Sequence, residues 1–348
     1  MDRISITGTK RSKLAWALAL FAALTACPTL LAADVAVERV LTGLHGPCAV
    51  AARPGGREPG EVFVAECGAG RVVKLASGKA GSGTEIIAGF DAPRAADEKS
   101  GAAGVQSLIF LDHTRLVVTG GDEEGKPFVR LYEVGDSDTT IKADESRQSV
   151  DLPEGDDAEG IRSFHDLART LPNDKVADVL IAAANGERGP AGIWKIAVRA
   201  NTLGDMAPFG AAKSEPSGNG VGGAAIANPG FIAIAAGSDD ASKNVSALKF
   251  LNPVDGRVVL QAQIELQQIV GIAYSPTTGN LFAADGKTGA IYRLDDAKTG
   301  GKAVCKAVKI ADVSRPTALA FAADGSLYVS SLGDGKDDGM LLKITGEL

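Results

Sequence analysis

A four-residue pattern recurs along the chain: two apolar residues, a basic one, then another apolar one. It occurs as Val72-Val73-Lys74-Leu75, Phe128-Val129-Arg130-Leu131, Ile193-Trp194-Lys195-Ile196, Ala247-Leu248-Lys249-Phe250, Ile291-Tyr292-Arg293-Leu294 and Leu341-Leu342-Lys343-Ile344. The basic residues at 74, 130, 195, 249, 293 and 343 lie 56, 65, 54, 44 and 50 positions apart. That spacing is too long for a helical solenoid and suits a four-stranded propeller blade with variable loops. The segments before each copy agree. Residues 271–294 and 318–344 each read as a short apolar strand, a Gly-containing turn, an alternating strand, a polar loop and the basic-marked strand. Further β-rich stretches lie between copies, at Glu85–Ile87, Gln148–Leu152, Glu265–Ile269 and Val308–Ile310, and supply a fourth strand. The segment Asp34 to Val40 resembles these outer strands, while the chain stops just after the sixth basic-marked strand. The expectation is an all-β, six-bladed β-propeller over residues 34–348, closed by an N-terminal strand that removes an open edge.

Residues 1–33 read as a signal peptide. Arg3, Lys10, Arg11 and Lys13 precede the 20 uncharged residues Leu14–Ala33, the basic-then-apolar layout of a secretory signal. Three outcomes remain open: cleavage near Ala32 or Ala33, lipidation of Cys27 in the lipobox-like Leu24-Thr25-Ala26-Cys27, or retention as an uncleaved anchor. Each places the protein outside the cytoplasm, periplasmic or secreted, with Cys27 the one membrane attachment of a lipoprotein. The remaining chain carries 32 basic and 42 acidic residues, a formal charge of −10. With no basic stripe to offset this, the body repels phosphate backbones, which argues against nucleic acid as a partner.

The repeat then carries a resemblance. Pro316 to Val329, and Val64-Ala65-Glu66 through Gly70-Arg71-Val72, resemble the repeat of NHL-type propellers and of the gluconolactonase-like six-bladed group, over residue 46 to the end. Gluconolactonase-like enzymes bind a metal through an early Glu in a Glu-Gly-Pro motif, mid-chain Asn residues and a late Asp. Here His45-Gly46-Pro47 replaces the motif, and Asn185 and Asp285 are the positions that carry over by order along the chain. Quinoprotein sugar dehydrogenases, also six-bladed, use a His with an Asp as base. The nearest counterpart is the dipeptide His165-Asp166, whose side chains would point to opposite faces of a regular strand.

The residues themselves carry no nucleophile elbow, HExxH helix or P-loop. Propeller sites form where loops of several blades converge. The loops after the second strands offer Glu66, Asp122, Asn185, Asp239, Asp285 and Asp334, one polar residue per blade. Glu66, Asn185, Asp239, Asp285 and His165 are therefore the candidate channel-face residues. The ring could hold a divalent cation such as Ca2+, or its members could be ordinary turn residues. The run Asp136-Ser137-Asp138 is calcium-like but lacks Gly at the sixth position. Cys48 and Cys67 flank one β-hairpin, and a register pairing Arg53 with Val62 would set their sulfurs opposite each other for a disulfide; two buried thiols are the alternative. The leading functional expectation is a binding or scaffold module for a protein or small ligand, without a recognisable catalytic site; a metal-dependent hydrolase of lactones or esters is the alternative.

Overall fold

Each copy of the basic-marked segment forms the third strand of a four-stranded antiparallel blade, and six such blades form the propeller. The computed structural model describes residues 35–55, 61–75, 81, 83–92, 103–155, 158–170, 172–186, 189–210, 221–226, 232–236, 246–299, 302–335 and 338–348. The signal segment, with Cys27, lies outside them. Strand β1, Ala36–Leu44, precedes the first blade, which comprises β2 Pro47–Ala52, β3 Val62–Glu66, β4 Arg71–Leu75 and β5 Thr84–Ala88. The second comprises β6 Gly104–Phe110, β7 Arg115–Gly121 and β8 Pro127–Glu133, then the short β9 Ile141–Lys142, which pairs back on β5, and β10 Gln148–Val150. The third contains β11 Ile161–Arg169, β12 Val179–Gly186, β13 Gly189–Arg199 and β14 Thr202–Pro208. The fourth contains β15 Val221–Ile226, β16 Ile232–Ala236, β17 Ser246–Leu251 and β18 Val258–Ile264. The fifth contains β19 Ile269–Tyr274, β20 Leu281–Asp285, β21 Ala290–Thr299 and β22 Lys302–Asp312. In the sixth, β23 Pro316–Phe321, β24 Leu327–Ser331 and β25 Gly339–Thr345 are followed by β1, which lies outermost and antiparallel to β25.

The core lies between blades, since each sheet is apolar on both faces. Phe63, Ile87, Phe110 and Tyr132 join the first and second blades, and Leu131, Phe164, Leu180 and Trp194 the second and third. Ile181, Phe209 and Ile234 join the third and fourth, and Leu248, Ile264 and Leu281 the fourth and fifth. Phe282, Leu319 and Leu342 join the fifth and sixth, and Leu41, Val64, Tyr328 and Leu341 the sixth and first. Fully burying one such side chain contributes about 1.5–3 kcal/mol, so the interfaces hold the ring together.

The repeat's basic residue has a structural task. It stands across from a second-strand residue: Lys74 from Phe63, Arg293 from Phe282 and Lys343 from Tyr328. Lys343 lies over the Tyr328 ring at 5.7 Å, and Arg130 over Phe128 at 4.6 Å. The aliphatic stem covers apolar surface while the head reaches polar partners, which accounts for the pattern without a ligand.

Two expectations shift. The outer strand of the fourth blade is Val258–Ile264, and residues 265–268 are the connection into β19. The amides of Gln267 and Gln268 donate to the Asp285 carboxylate, which stops this segment from pairing as an outer strand. The Gly-rich segment Ser214 to Gly230, whose four glycines at 218, 220, 222 and 223 read in the sequence as an irregular part of a blade, contains the innermost strand β15; its flanks at 211–220 and 227–230 lie outside the described residues.

Candidate functional site

The innermost strands β2, β6, β11, β15, β19 and β23 contact one another in a closed circle around the axis. Each has an irregularity near its start, leaving Cys48, Gln106, Arg162, Gly222, Val270 and Thr317 outside the regular pairing. A bulge places two residues opposite one and breaks the alternation of faces. In β11 a second bulge falls at His165, between Phe164 and Asp166. The side chains expected on opposite faces are thereby both brought to the channel, where His165 and Asp166 line the same cavity, each half-buried. Asp166 Oδ1 accepts a hydrogen bond from the Leu167 amide at 2.8 Å and another from Ser107 Oγ at 3.5 Å, which ties β11 to β6.

That cavity has a volume of about 800 Å³. Gln106, Ser107, His165, Asp166, Gln268 and Thr317 supply polar groups, while Val50, Leu108, Leu167, Ile272 and Leu319 supply an apolar wall. A mostly apolar hollow with a few converging polar groups is the usual form of a small-molecule site. Of the residues singled out from the sequence, His165 lines it; Glu66 and Asp285 do not.

Glu66 and Asp285 hold loops instead, and both are fully buried. Glu66 Oε1 accepts the His45 amide at 2.6 Å, and Oε2 accepts Arg71 Nε at 2.6 Å. The hydrogen bond to Glu66 holds the Arg71 guanidinium above its usual pKa, against desolvation. Asp285 accepts four backbone amides: Gln267 at 3.0 Å, Gln268 at 3.1 Å, Lys287 at 2.9 Å and Thr288 at 3.3 Å. In both blades the last residue of the second strand fastens the segment leading into that blade's own innermost strand. The sixth blade achieves this with hydroxyls: Ser331 Oγ donates to the Ser314 carbonyl, and Ser314 Oγ donates to Asp334 at 2.7 Å. Asp122 accepts the Lys126 amide of its own turn. Asn185 sits in β12 opposite Ser163 of β11, but its side chain lies outside the described residues, as does all of Asp239.

Two described members of the acidic ring, Glu66 and Asp285, are therefore committed to loop contacts rather than presented to a divalent cation. The oxygens of Glu66 and Asp285 already have amide and guanidinium partners, and the described residues contain no group of three or more His, Cys, Asp or Glu positioned to hold a metal. The calcium-like run is explained differently. Asp136 lies 3.6 Å from buried Arg53, and Asp138 lies 2.8 Å from buried Lys74, both cations also reaching Glu61. Arg53 further sits over the Phe63 ring at 5.1 Å and donates to the Val134 carbonyl at 2.8 Å, clamping the first two blades.

Cys48 and Cys67 are joined by a disulfide, with their Cα atoms 5.9 Å apart. The register differs from the one read from the sequence. Ala52, not Arg53, pairs with Val62, and the bulge at Cys48 brings the sulfurs together. The bridge thus pins the bulge of β2, and Cys48 lines the channel. His113 lies exposed in a turn and Trp194 is buried in β13. The lining residues Gln106, Ser107, Gln268 and Thr317 escaped the reading of the sequence: Gln106 and Thr317 sit at bulges, which have no composition signature, Ser107 follows one, and Gln268 lies in a connection rather than a strand.

No protein-family model matches the chain, and neither does any curated protein sequence. Solved structures share its architecture. An oxidoreductase described as a glucose dehydrogenase from Thermus thermophilus aligns with a TM-score of 0.58 at 15% identity, over 89% of this chain and 100% of that one. A luciferin-regenerating enzyme aligns at 0.54 and 15% identity, over 90% and 95%. A chain of the mitotic checkpoint complex aligns at 0.50 and 14% identity, over 90% and 91%. At these identities the likeness establishes the propeller fold alone.

Proposed function

We propose that this chain is an exported, NHL-like propeller that acts as a binding module and takes a small ligand into its central channel. The single observation behind this reading is the roughly 800 Å³ cavity, with polar groups from β6, β11 and β23 and from the segment before β19. A hollow of that size suits a metabolite-sized molecule. The similar enzymes of known structure use the same architecture, which is compatible with a small ligand on the axis. Against the hydrolase alternative, one of the two positions carried over for its metal, Asp285, is engaged by four backbone amides, which favours the binding reading. The basic-then-apolar amino terminus supports export, with Cys27 as a lipid attachment in the lipoprotein variant.

The test is a thermal-melting screen of the full chain with sugars, sugar acids, amino acids and short dicarboxylates. A ligand that binds only the folded state at a hundredfold excess over its Kd stabilises it by about 2.7 kcal/mol. The expected outcome is a shift with at least one class, lost when His165→Trp fills the channel. A shift retained by that variant, or no shift across the panel, overturns the reading.

A further inference from the structure

In the first, third and sixth blades the residue just before the innermost strand turns the chain into the channel wall with left-handed backbone. Gly46, before β2, has φ +58°, and Gly160, before β11, has φ +77°. In the sixth blade the same place is held by Arg315, at φ +43° and directly before Pro316. A side-chain-bearing residue is strained there, and a following proline restricts it further. If the turn alone mattered, glycine would serve, as it does in the first and third blades. Such strain is held at positions where the side chain has a task.

The placement of that side chain indicates the task. Arg315 is exposed, lines the channel cavity, and its guanidinium has no ion-pair or hydrogen-bond partner among the described residues. The other charges on the wall are engaged. Arg169 donates to both oxygens of Asp178, at 2.8 and 2.7 Å, and Asp166 accepts from Leu167 and Ser107. Gln268 and Thr317, from the adjoining segments, line the same cavity and offer an amide and a hydroxyl. In a body carrying a formal −10, a cation at the mouth of the hollow with its guanidinium fork uncommitted is built to meet an anion. We infer that the channel ligand is a small organic oxyanion whose carboxylate or phosphate pairs with Arg315, a class of ligand whose planar or tripodal oxygens match the fork. This deepens the channel-binding reading and rests on it.

The test uses isothermal titration of the full chain with gluconate and with glucose, which match in size and hydroxyls but differ in charge. The wild type is expected to bind gluconate at least tenfold more tightly than glucose. Arg315→Gln should remove that preference and leave glucose binding unchanged, and Arg315→Lys should retain part of it. Arg315→Gly serves as the folding control: it should melt no lower than the wild type, because glycine fits the positive φ, and still lose the preference. Equal binding of both probes, insensitive to Arg315→Gln, overturns the anion inference while leaving the channel reading standing. Absence of binding by either probe also overturns it, and the channel reading is then judged on the wider melting screen.

Discussion

Removing the Asp285 carboxylate separates a loop staple from a metal ligand, because the two roles predict different responses to the same change. In the structure, Asp285→Ala deletes an acceptor fully buried at the end of β20 and releases four amides, of Gln267, Gln268, Lys287 and Thr288. Those four residues are exposed, so water recovers part of the loss. With hydrogen bonds to a charged acceptor contributing about 1.5–3 kcal/mol each and only part of this forfeited, the net cost is about 3 kcal/mol. Unfolding entropy of about 2.1 cal/mol/K per residue, over the roughly 310 residues of the propeller, converts this to a drop in Tm of about 4–5 °C. Asp285→Asn retains an acceptor for the three amides on Oδ1 and should lose about half as much. The assay is thermal melting of all three proteins, in EDTA and in excess calcium. The reasoning is refuted if Asp285→Ala melts within about 1 °C of the wild type, or if calcium stabilises the wild type and this variant abolishes the effect.

Two further outcomes follow. The Cys48–Cys67 bridge, at a sequence separation of 19, closes a loop whose entropy amounts to about 3 kcal/mol. Dithiothreitol or the Cys48→Ala/Cys67→Ala pair should therefore lower Tm by about 5 °C, and a wild type whose melting ignores the reductant refutes the bridge's contribution. For Asp112, desolvation works against its charge, but the amides of Thr114 and Arg115, the Thr114 hydroxyl and the Arg115 guanidinium outweigh it, so its pKa lies below 3.8. A depressed carboxylate stabilises the fold above its unfolded pKa, and that contribution is lost as pH falls through the folded value. The Tm deficit of Asp112→Asn should be full at about pH 6 and shrink steadily below about pH 4; a deficit that does not change across that range refutes the assignment.

The architecture was legible because the third strand of every blade must place a long basic side chain over its neighbour's apolar surface, and this requirement leaves a mark at 74, 130, 195, 249, 293 and 343. The candidate site was largely not legible. Acidic residues at the ends of second strands look like ligands in a linear reading, but the backbone amides of a turn are equally good partners for a carboxylate, and at Glu66 and Asp285 the amides occupy it. The fourth blade hid its innermost strand in Val221-Gly222-Gly223-Ala224-Ala225-Ile226, where low side-chain volume erases the apolar alternation that marks a strand. The hairpin register slipped by one for a related reason: a bulge at Cys48 shifts the pairing without changing the pattern that predicts it.

Bulges also determine which residues reach the axis. In a regular strand every second residue faces the channel, so a dipeptide such as His165-Asp166 contributes one side chain at most. The bulge at His165 makes both available, and the bulges at Gln106 and Thr317 do the same for their strands. The wall can then change its polar groups blade by blade without altering the apolar faces that hold the interfaces, because the bulged residue lies outside the regular pairing. Arg315 follows the same logic. It stands one residue before a strand, where its own replacement would disturb no interface, and the left-handed turn it strains is one that glycine makes freely before β2 and β11. If the channel binds a ligand as proposed, its selectivity is set by the first few residues of each innermost strand, and substitutions there should alter what the channel binds well before they alter whether the ring folds.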